Sequence, residues 1–212
     1  MCIIDVHDVS KQFRDALVLD HVNLRVEQGT IVGIIGRNGS GKTVLLKLMC
    51  GLLRPTSGTV TVFGEQLGKQ RDFSADTGLL IETPEFLPYQ SAYQSLYALS
   101  LIRRKVGKEE IKAVLQQVGL DPESRKPVGK YSLGMRQRLG IAQALMEQPK
   151  LLLLDEPMNG LDSAGAEDFR QLFRRLREQG TTIVLATHIR EDIEGLCERV
   201  YQIENGRLEG QA

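Results

Sequence analysis

The chain lacks the features that mark secreted proteins, membrane-embedded proteins and proteins whose cysteines ligate a metal. Its 212 residues include no tryptophan and only three cysteines, Cys2, Cys50 and Cys197, which share no metal-ligand spacing. The longest apolar runs, such as Leu151–Leu154, fall far short of the roughly 20 residues that cross a bilayer. The N-terminus has neither the basic start nor the small-residue cleavage site of a signal peptide. We therefore expect a cytoplasmic protein with reduced thiols.

The chain also has no net charge. Lys plus Arg and Asp plus Glu are both 27, so there is no overall basic surface of the kind that binds DNA, RNA or an anionic membrane. We therefore expect no nucleic-acid partner. The length and the hydrophobic fraction of 42% are those of one compact soluble domain with a substantial core.

Short runs rich in β-branched residues alternate with helical patterns, which predicts a layered α/β fold. In the N-terminal third, an antiparallel sheet is predicted from Ile3–Val6, Val18–Val26 and Thr59–Phe63. Further strands are predicted at Ile31–Ile35, Leu151–Leu154 and Thr182–Ala186, and a helix at Lys42–Cys50 that Gly51 ends.

The middle of the chain, from Pro84 to about Gln148, contains no convincing strand. Apolar residues recur there at helical spacing, in the order Ile111, Val114, Leu115 and Val118. We therefore predict a single domain over 1–212 in which a helical lobe, 83–148, interrupts an α/β core formed by 1–82 and 149–212.

The most specific local motif lies between the predicted strand Ile31–Ile35 and the helix that begins at Lys42. It matches G-x-x-x-x-G-K-[ST], a phosphate-binding loop whose glycines let backbone N–H groups point at phosphate oxygens. Lys42 is expected to reach the β- and γ-phosphates of ATP, and the Thr43 hydroxyl to ligate Mg²⁺. The predicted ATP-binding residues of this segment are Gly36, Arg37, Asn38, Gly39, Ser40, Gly41, Lys42, Thr43 and Val44.

Two further groups follow predicted strands. Asp155 and Glu156 end the apolar run Leu151–Leu154, and functional groups of parallel sheets lie at the C-terminal ends of the strands. Asp155 is expected to hold Mg²⁺ and Glu156 to be the base that deprotonates the attacking water. His188 follows the next strand and is expected to lie near the γ-phosphate. Charged strand ends and surface histidines are common, so only the phosphate loop gives these residues a catalytic interpretation.

These motifs, together with Tyr131-Ser132-Leu133-Gly134-Met135-Arg136-Gln137-Arg138, resemble the ATPase domain of ABC transporters over essentially the whole chain. The resemblance implies a P-loop fold of ABC type, with a RecA-like core sheet, an N-terminal antiparallel β subdomain and a helical lobe that carries the signature motif. It also implies a second such domain, paired head to tail as a homodimer or heterodimer, and a separate transmembrane subunit. The chain would then lie on the inner face of the cell membrane.

The family motifs assign further residues. Ser132 and Gly134 match the signature, which would contact the γ-phosphate held by the partner domain. Pro157–Asp162 resembles the D-loop of the family, with Asp162 as its last residue, and Phe13 matches the aromatic residue that stacks on adenine. A plain core role for Phe13 stays open.

Two departures from the family pattern stand out. Leu133 and Met135 replace a glycine and a glutamine of the signature. Glu82 stands where family members have a glutamine, and we predict that it senses Mg²⁺ and the γ-phosphate. At both positions the sequence resembles the branch of the family that serves bacitracin export and lantibiotic immunity.

Two other functions are open at this level. One is a soluble ABC ATPase that acts on nucleic acid or the ribosome, but the chain has no coiled-coil insertion, second ATPase unit or basic tract. The other is a nucleotide-binding module without catalysis, which would not need the catalytic residues that this chain keeps. Transport is therefore favoured.

The segment Thr83–Leu101 holds four of the eleven Phe and Tyr residues, together with Leu87. They are Phe86, Tyr89, Tyr93 and Tyr97. Related motors receive a short helix of the membrane subunit here, so we predict a docking groove, the alternative being packing within the lobe.

Overall fold

The computed structural model describes residues 1–82 and 84–211. Thr83, where the predicted docking segment begins, and Ala212 lie outside the described residues. The strands are β1 Cys2–Phe13, β2 Ala16–Glu27, β3 Ile31–Ile35, β4 Ser57–Val62, β5 Glu65–Gln66, β6 Thr77–Leu80, β7 Leu151–Asp155, β8 Thr182–Thr187, β9 Arg199–Glu204 and β10 Arg207–Gln211. The α-helices are α1 Lys42–Cys50, α2 Ala92–Arg103, α3 Lys108–Gln117, α4 Leu133–Leu145 and α5 Ser163–Glu178.

The N-terminal strands form a four-stranded sheet in the order β2-β1-β4-β5, antiparallel as predicted. Val6 pairs with Leu24 on one side and Val60 on the other, and all three side chains are buried. β1 runs well beyond the predicted segment Ile3–Val6, because its polar residues continue the strand, whereas β2 is close to the predicted Val18–Val26.

The second sheet has six strands in the order β10-β9-β3-β8-β7-β6. Its first five strands in chain order, β3 and β6 to β9, run parallel, and β10 returns antiparallel to β9. Parallel strands place their C-terminal ends at one edge of the sheet. The phosphate loop after β3, Asp155 at the end of β7 and His188 after β8 therefore share that edge.

Alternate residues of the parallel strands face two separate layers of the core. Leu151 and Leu153 pack with α1 and the N-terminal sheet on one face. Leu152 and Leu154 pack with α3, α4 and α5 on the other. A run of four leucines is thus buried on both sides, as expected for a central parallel strand.

The segment between β6 and β7 is helical, as predicted. Described residues 84–150 contain α2, α3, α4 and a 3-10 turn at Val128–Lys130, and no strand. Ile111, Val114 and Leu115 are the buried face of α3. The division at residues 82 and 149 stays a prediction. Among the described residues, none of the helices has the length and apolar character that crossing a bilayer requires.

Candidate active site

Two positions of the loop between β3 and α1 require glycine, one because of its backbone conformation and the other because of the space around it. Gly41 has a φ of 106°, in the left-handed region that disfavours side chains. At Gly36 the limit is space, since a Cβ would lie 2.5 Å from the carbonyl oxygen of Ile203. A cavity of about 800 Å³ opens beside this loop, lined also by His188 and Arg190.

Lys42 and Thr43, the first residues of α1, point back toward the loop and the sheet edge. The Lys42 Nζ donates to the carbonyl oxygens of Gly36 at 2.7 Å and Arg37 at 3.2 Å. Its side chain is only 6% exposed, so the ammonium is presented at the inside of the loop. The Thr43 hydroxyl donates to the Asp155 carboxylate at 2.6 Å, which joins the loop to β7.

Glu156 is the point at which the predicted catalytic residues meet. Its Oε1 lies 2.9 Å from Nδ1 of His188 and 3.6 Å from Nζ of Lys42. Its backbone has a φ of 49°, which is unusual for a residue with a side chain. The three residues follow β7, β8 and the phosphate loop, and the structure brings their side chains together, while their catalytic roles stay predictions.

The donor atoms beside Glu156 suit a magnesium ion. Mg²⁺ prefers oxygen ligands, and Asp155 and Thr43 offer a carboxylate and a hydroxyl side by side. Burial raises the pKa of the Asp155 carboxyl, and the nearby Glu156 adds to the effect. A cation at this position would offset that desolvated negative charge.

Glu82 is engaged elsewhere in this structure. Its carboxylate pairs with Nζ of Lys47 on α1 at 2.5 Å, and its side chain is 63% exposed. Its φ of 61° is left-handed. The negative charge of Glu82 contributes to the raised pKa of Asp155, so it is felt at the predicted magnesium site.

The signature and D-loop residues have structural contacts of their own. Ser132 caps the N-terminus of α4, where its hydroxyl accepts from the backbone N–H of Met135 at 3.2 Å. Asp162 caps α5 by accepting from the N–H of Gly165 at 2.8 Å. A Cβ on Gly134 would lie 2.8 Å from the carbonyl oxygen of Gly160. The signature helix and the D-loop therefore touch within one chain.

Leu133, one of the departures from the family signature, also contacts the D-loop. A Cβ on Gly160 would lie 2.5 Å from its side chain, while 43% of Leu133 remains exposed. The second departure, Met135, has its sulfur 3.8 Å from Nζ of Lys126. Leu133 thus makes a side-chain contact with the D-loop that the glycine it replaces could not make.

Phe13 lies at the end of the β1–β2 hairpin, paired with Ala16. Its ring is 42% exposed, and Nζ of Lys11 lies 4.8 Å from the ring centroid. Such a surface ring is available to a planar ligand, but its stacking on adenine stays a prediction.

Three residues that sequence reasoning missed hold the turn after β7. Gln137 on α4 is buried and donates to the carbonyl oxygens of Glu156 and Pro157. Thr187 and Asp192 are buried beside the Glu156 carboxylate. No local pattern marks these residues, because a polar side chain on a helix or at a strand end is ordinary until its distant partners are known.

Comparisons with known proteins agree with this geometry. The profile of the ABC transporter family matches residues 19–159. The bacitracin transport ATP-binding protein BcrA of Bacillus licheniformis is 42% identical over 208 residues, which are 97% of this chain and 68% of that protein. The lantibiotic transport ATP-binding protein SrtF of Streptococcus pyogenes is 34% identical over 206 residues, 97% of this chain and 89% of that protein.

Among solved structures, a dimeric ATP-binding cassette in a post-hydrolysis state with ADP and Pi superimposes with a TM-score of 0.88. It is 26% identical and covers 99% of this chain and 98% of that chain. The fold and site therefore define a P-loop ATPase of ABC type. The chain belongs to the ABC transporter family and is an ATP-binding and ATP-hydrolysing subunit of such a transporter.

Proposed function

We propose that this chain powers the export of a peptide antibiotic or similar drug by hydrolysing ATP between two paired domains. The observation that carries the hydrolytic part is the convergence of Lys42, His188 and Glu156 within 3.6 Å beside the Thr43–Asp155 hydrogen bond. The substrate class rests on the similarity to the bacitracin and lantibiotic transport proteins. The site itself supports only the ATPase activity. We propose that a separate membrane subunit binds and carries the transported substrate.

In the proposed mechanism, the loop from Gly36 to Thr43 binds the phosphates of ATP through backbone N–H groups and the N-terminus of α1. Lys42 exchanges its two carbonyl acceptors for the β- and γ-phosphates. Thr43 and Asp155 would hold Mg²⁺, which would neutralise phosphate charge, and Glu82 would sense the metal from the adjoining loop.

Glu156 then removes a proton from water as the water oxygen attacks the γ-phosphorus. The bond from the γ-phosphorus to the bridging oxygen breaks, so that ADP and phosphate are formed. His188 and Lys42 stabilise the negative charge that develops on the γ-phosphoryl oxygens. Adenine would rest against Phe13.

The second domain completes the site. We infer a head-to-tail pair in which Ser132 and Gly134 of one domain cap the γ-phosphate on the other and Asp162 lies in the contact between them. The exposure of Ser132 and Leu133 at the N-terminus of α4 favours this, because the N-terminal end of a helix attracts an anion. The pair can consist of two copies of this chain or of two different chains.

A Glu156→Gln variant tests the catalytic assignment. It keeps the shape of the side chain and removes the base, so ATP should bind without cleavage and a stable ATP-dependent dimer should accumulate. Size-exclusion chromatography with ATP and Mg²⁺ measures the dimer, and a phosphate-release assay measures turnover. A variant that stays monomeric and hydrolyses ATP normally would overturn the assignment.

The membrane subunit would dock on the start of the helical lobe. Leu87 is 50% exposed and Tyr89 is 73% exposed, and Tyr97 stacks on Tyr93 with ring centroids 6.0 Å apart. Leu101 continues the same side of α2 and is 53% exposed. Exposed aromatic and aliphatic side chains of this kind are favoured interface anchors. Through this contact the chain would lie at the inner face of the membrane.

Site-specific photo-cross-linking in native membranes tests the docking surface. A cross-linker at Tyr89 should capture a membrane protein, whereas one at Glu178, at the far end of α5, should not. Tyr89→Ala should reduce transport and spare the basal ATPase activity of the isolated chain. Failure to capture a membrane protein from Leu87, Tyr89 and Tyr97 would refute the surface.

A further inference from the structure

The hydroxyl group of Thr187 lies between two carboxylates. Its Oγ1 is 3.1 Å from Oε2 of Glu156 and 3.1 Å from Oδ2 of Asp192. It also accepts the backbone N–H of Ile189 at 3.1 Å. A threonine hydroxyl has one hydrogen to donate, so it can serve only one of the two carboxylates at a time.

Asp192 forms the buried support behind that hydroxyl. It is 6% exposed and lies in the 3-10 turn Arg190–Asp192. Arg170 on α5 reaches its Oδ1 at 3.6 Å and donates to the carbonyl oxygen of Glu191 at 3.1 Å. Burial raises the pKa of the Asp192 carboxyl, while its contacts with Thr187 and Arg170 act in the opposite direction.

The two oxygens of the Glu156 carboxylate face different surroundings. Oε1 faces Lys42 and His188, the two side chains that the proposed mechanism turns toward ATP. Oε2 faces the Thr187 hydroxyl and, at 3.4 Å, the backbone N–H of His188. Thr187 is fully buried in β8 and has no freedom to follow a ligand.

We propose that Thr187 is a positioning residue for ATP hydrolysis, whose hydroxyl, supported by Asp192 and Arg170, holds Oε2 of Glu156 and leaves Oε1 free to take the proton from water. When Lys42 and His188 turn to the phosphates, Thr187 is the side chain that still fixes the carboxylate. The inference rests on the proposed role of Glu156 as the base. Thr187 would therefore affect the rate of the chemical step, whereas ATP binding would depend on the phosphate loop Gly36–Thr43.

The test compares two substitutions of Thr187 in the full chain. Thr187→Val keeps the shape and removes the hydroxyl, and it should lower kcat about tenfold, the effect of one hydrogen bond, with the KM for ATP within about twofold. Thr187→Ser restores the hydroxyl and should restore most of kcat. Thr182→Val removes another buried hydroxyl of β8, which accepts the N–H of Gly29 at 2.9 Å, and should leave kcat unchanged.

A second pair keeps the proposal testable if Thr187→Val does not fold. Asp192→Asn keeps a polar side chain that can donate to Oγ1 of Thr187 and should retain kcat within about threefold, whereas Asp192→Leu removes that support of the hydroxyl and should lower kcat about tenfold. Equal kcat values in the Val and Ser variants, or in the Asn and Leu variants, would refute the positioning role. If Glu156→Gln hydrolyses ATP normally, the assignment of Glu156 as the base is wrong. If Glu156→Gln is inactive but the Thr187 variants keep the parent kcat, Glu156 remains the proposed base and the positioning role of Thr187 is refuted.

Discussion

Gln137 offers a sharp test of how the helical lobe supports the catalytic turn. Its side-chain amide donates to the carbonyl oxygens of Glu156 at 2.9 Å and Pro157 at 3.1 Å from a buried position on α4. The Glu156 carbonyl also accepts the N–H of Asn159 at 3.1 Å. The Pro157 carbonyl has no other hydrogen bond among residues 1–82 and 84–211. Gln137→Leu therefore leaves one buried carbonyl without a partner and weakens a second.

An unsatisfied buried carbonyl and a lost hydrogen bond together cost about 2 kcal/mol in the free energy of unfolding. For a domain of this size, that loss lowers the melting temperature by about 4 to 8 °C. Glu156 also has a left-handed backbone that this contact helps to hold, since its φ is 49°. We expect kcat for ATP hydrolysis to fall about tenfold as the carboxylate loses its fixed position. The KM for ATP should change little, because Gln137 lies away from the phosphate loop.

The measurements are urea unfolding without nucleotide and steady-state ATP hydrolysis. The matched control is Gln143→Leu, which makes the same change on the same helix at a partly exposed position. Gln137→Glu should be worse than Gln137→Leu, because a carboxylate would face two carbonyl oxygens. If Gln137→Leu unfolds like the control and keeps full turnover, the support of the turn by α4 is not what the geometry implies.

Three further outcomes follow from the site. Burial raises the pKa of Asp155, so its contribution to stability is intact below the usual aspartate range and is lost as the pH rises through the raised value. Asp155→Asn should therefore unfold at higher urea than the parent chain at neutral pH without nucleotide, show no gain below the aspartate range, and lose the stabilisation by ATP and Mg²⁺. Gly36→Ala should destabilise the chain by about 1 to 3 kcal/mol and weaken ATP binding in a fluorescent-nucleotide titration, because its Cβ would lie 2.5 Å from the Ile203 carbonyl oxygen. Lys42→Ala should abolish hydrolysis in a phosphate-release assay and greatly weaken ATP binding, and unchanged turnover would contradict the phosphate-loop assignment.

The parts of this site that could be predicted are those encoded by local patterns. The phosphate loop can be recognised from eight consecutive residues, Gly36–Thr43, between a predicted strand and a predicted helix. The apolar run Leu151–Leu154 likewise predicts a central strand. Because parallel strands share an edge, the contact between Thr43 and Asp155 also follows from the order of the elements. The strands β9 and β10, at one end of the six-stranded sheet, were not predicted, and the residues of β9 show no clear alternation of buried and exposed positions.

The supporting residues could not be predicted because their partners are distant in the chain. Gln137 is 19 residues from Glu156, and Thr187 is 31 residues from it. A glutamine on an amphipathic helix is normally solvated, and only the packing of α4 against the turn after β7 shows that this one is buried. The pairing of Glu82 with Lys47 likewise depends on where the chain returns to α1.

The contacts around Glu156 provide a path by which a force on the helical lobe would reach the carboxylate of the proposed base. Gln137 ties α4 to the backbone of Glu156, and Leu133 at the start of the same helix lies against the D-loop at Gly160. The helix also packs against β6 and α3, whose buried side chains share one core with α2. If the membrane subunit docks beside Tyr89, a shift of the lobe would also move the turn after β7. The reason is that α4 is part of the lobe and is hydrogen-bonded to that turn through Gln137. The carboxylate itself is anchored on the opposite side by Thr187 in the sheet. Glu156, the proposed base, is thus held between the lobe on which we propose that the membrane subunit docks and the sheet that carries the phosphate loop, so hydrolysis and docking would be coupled through it.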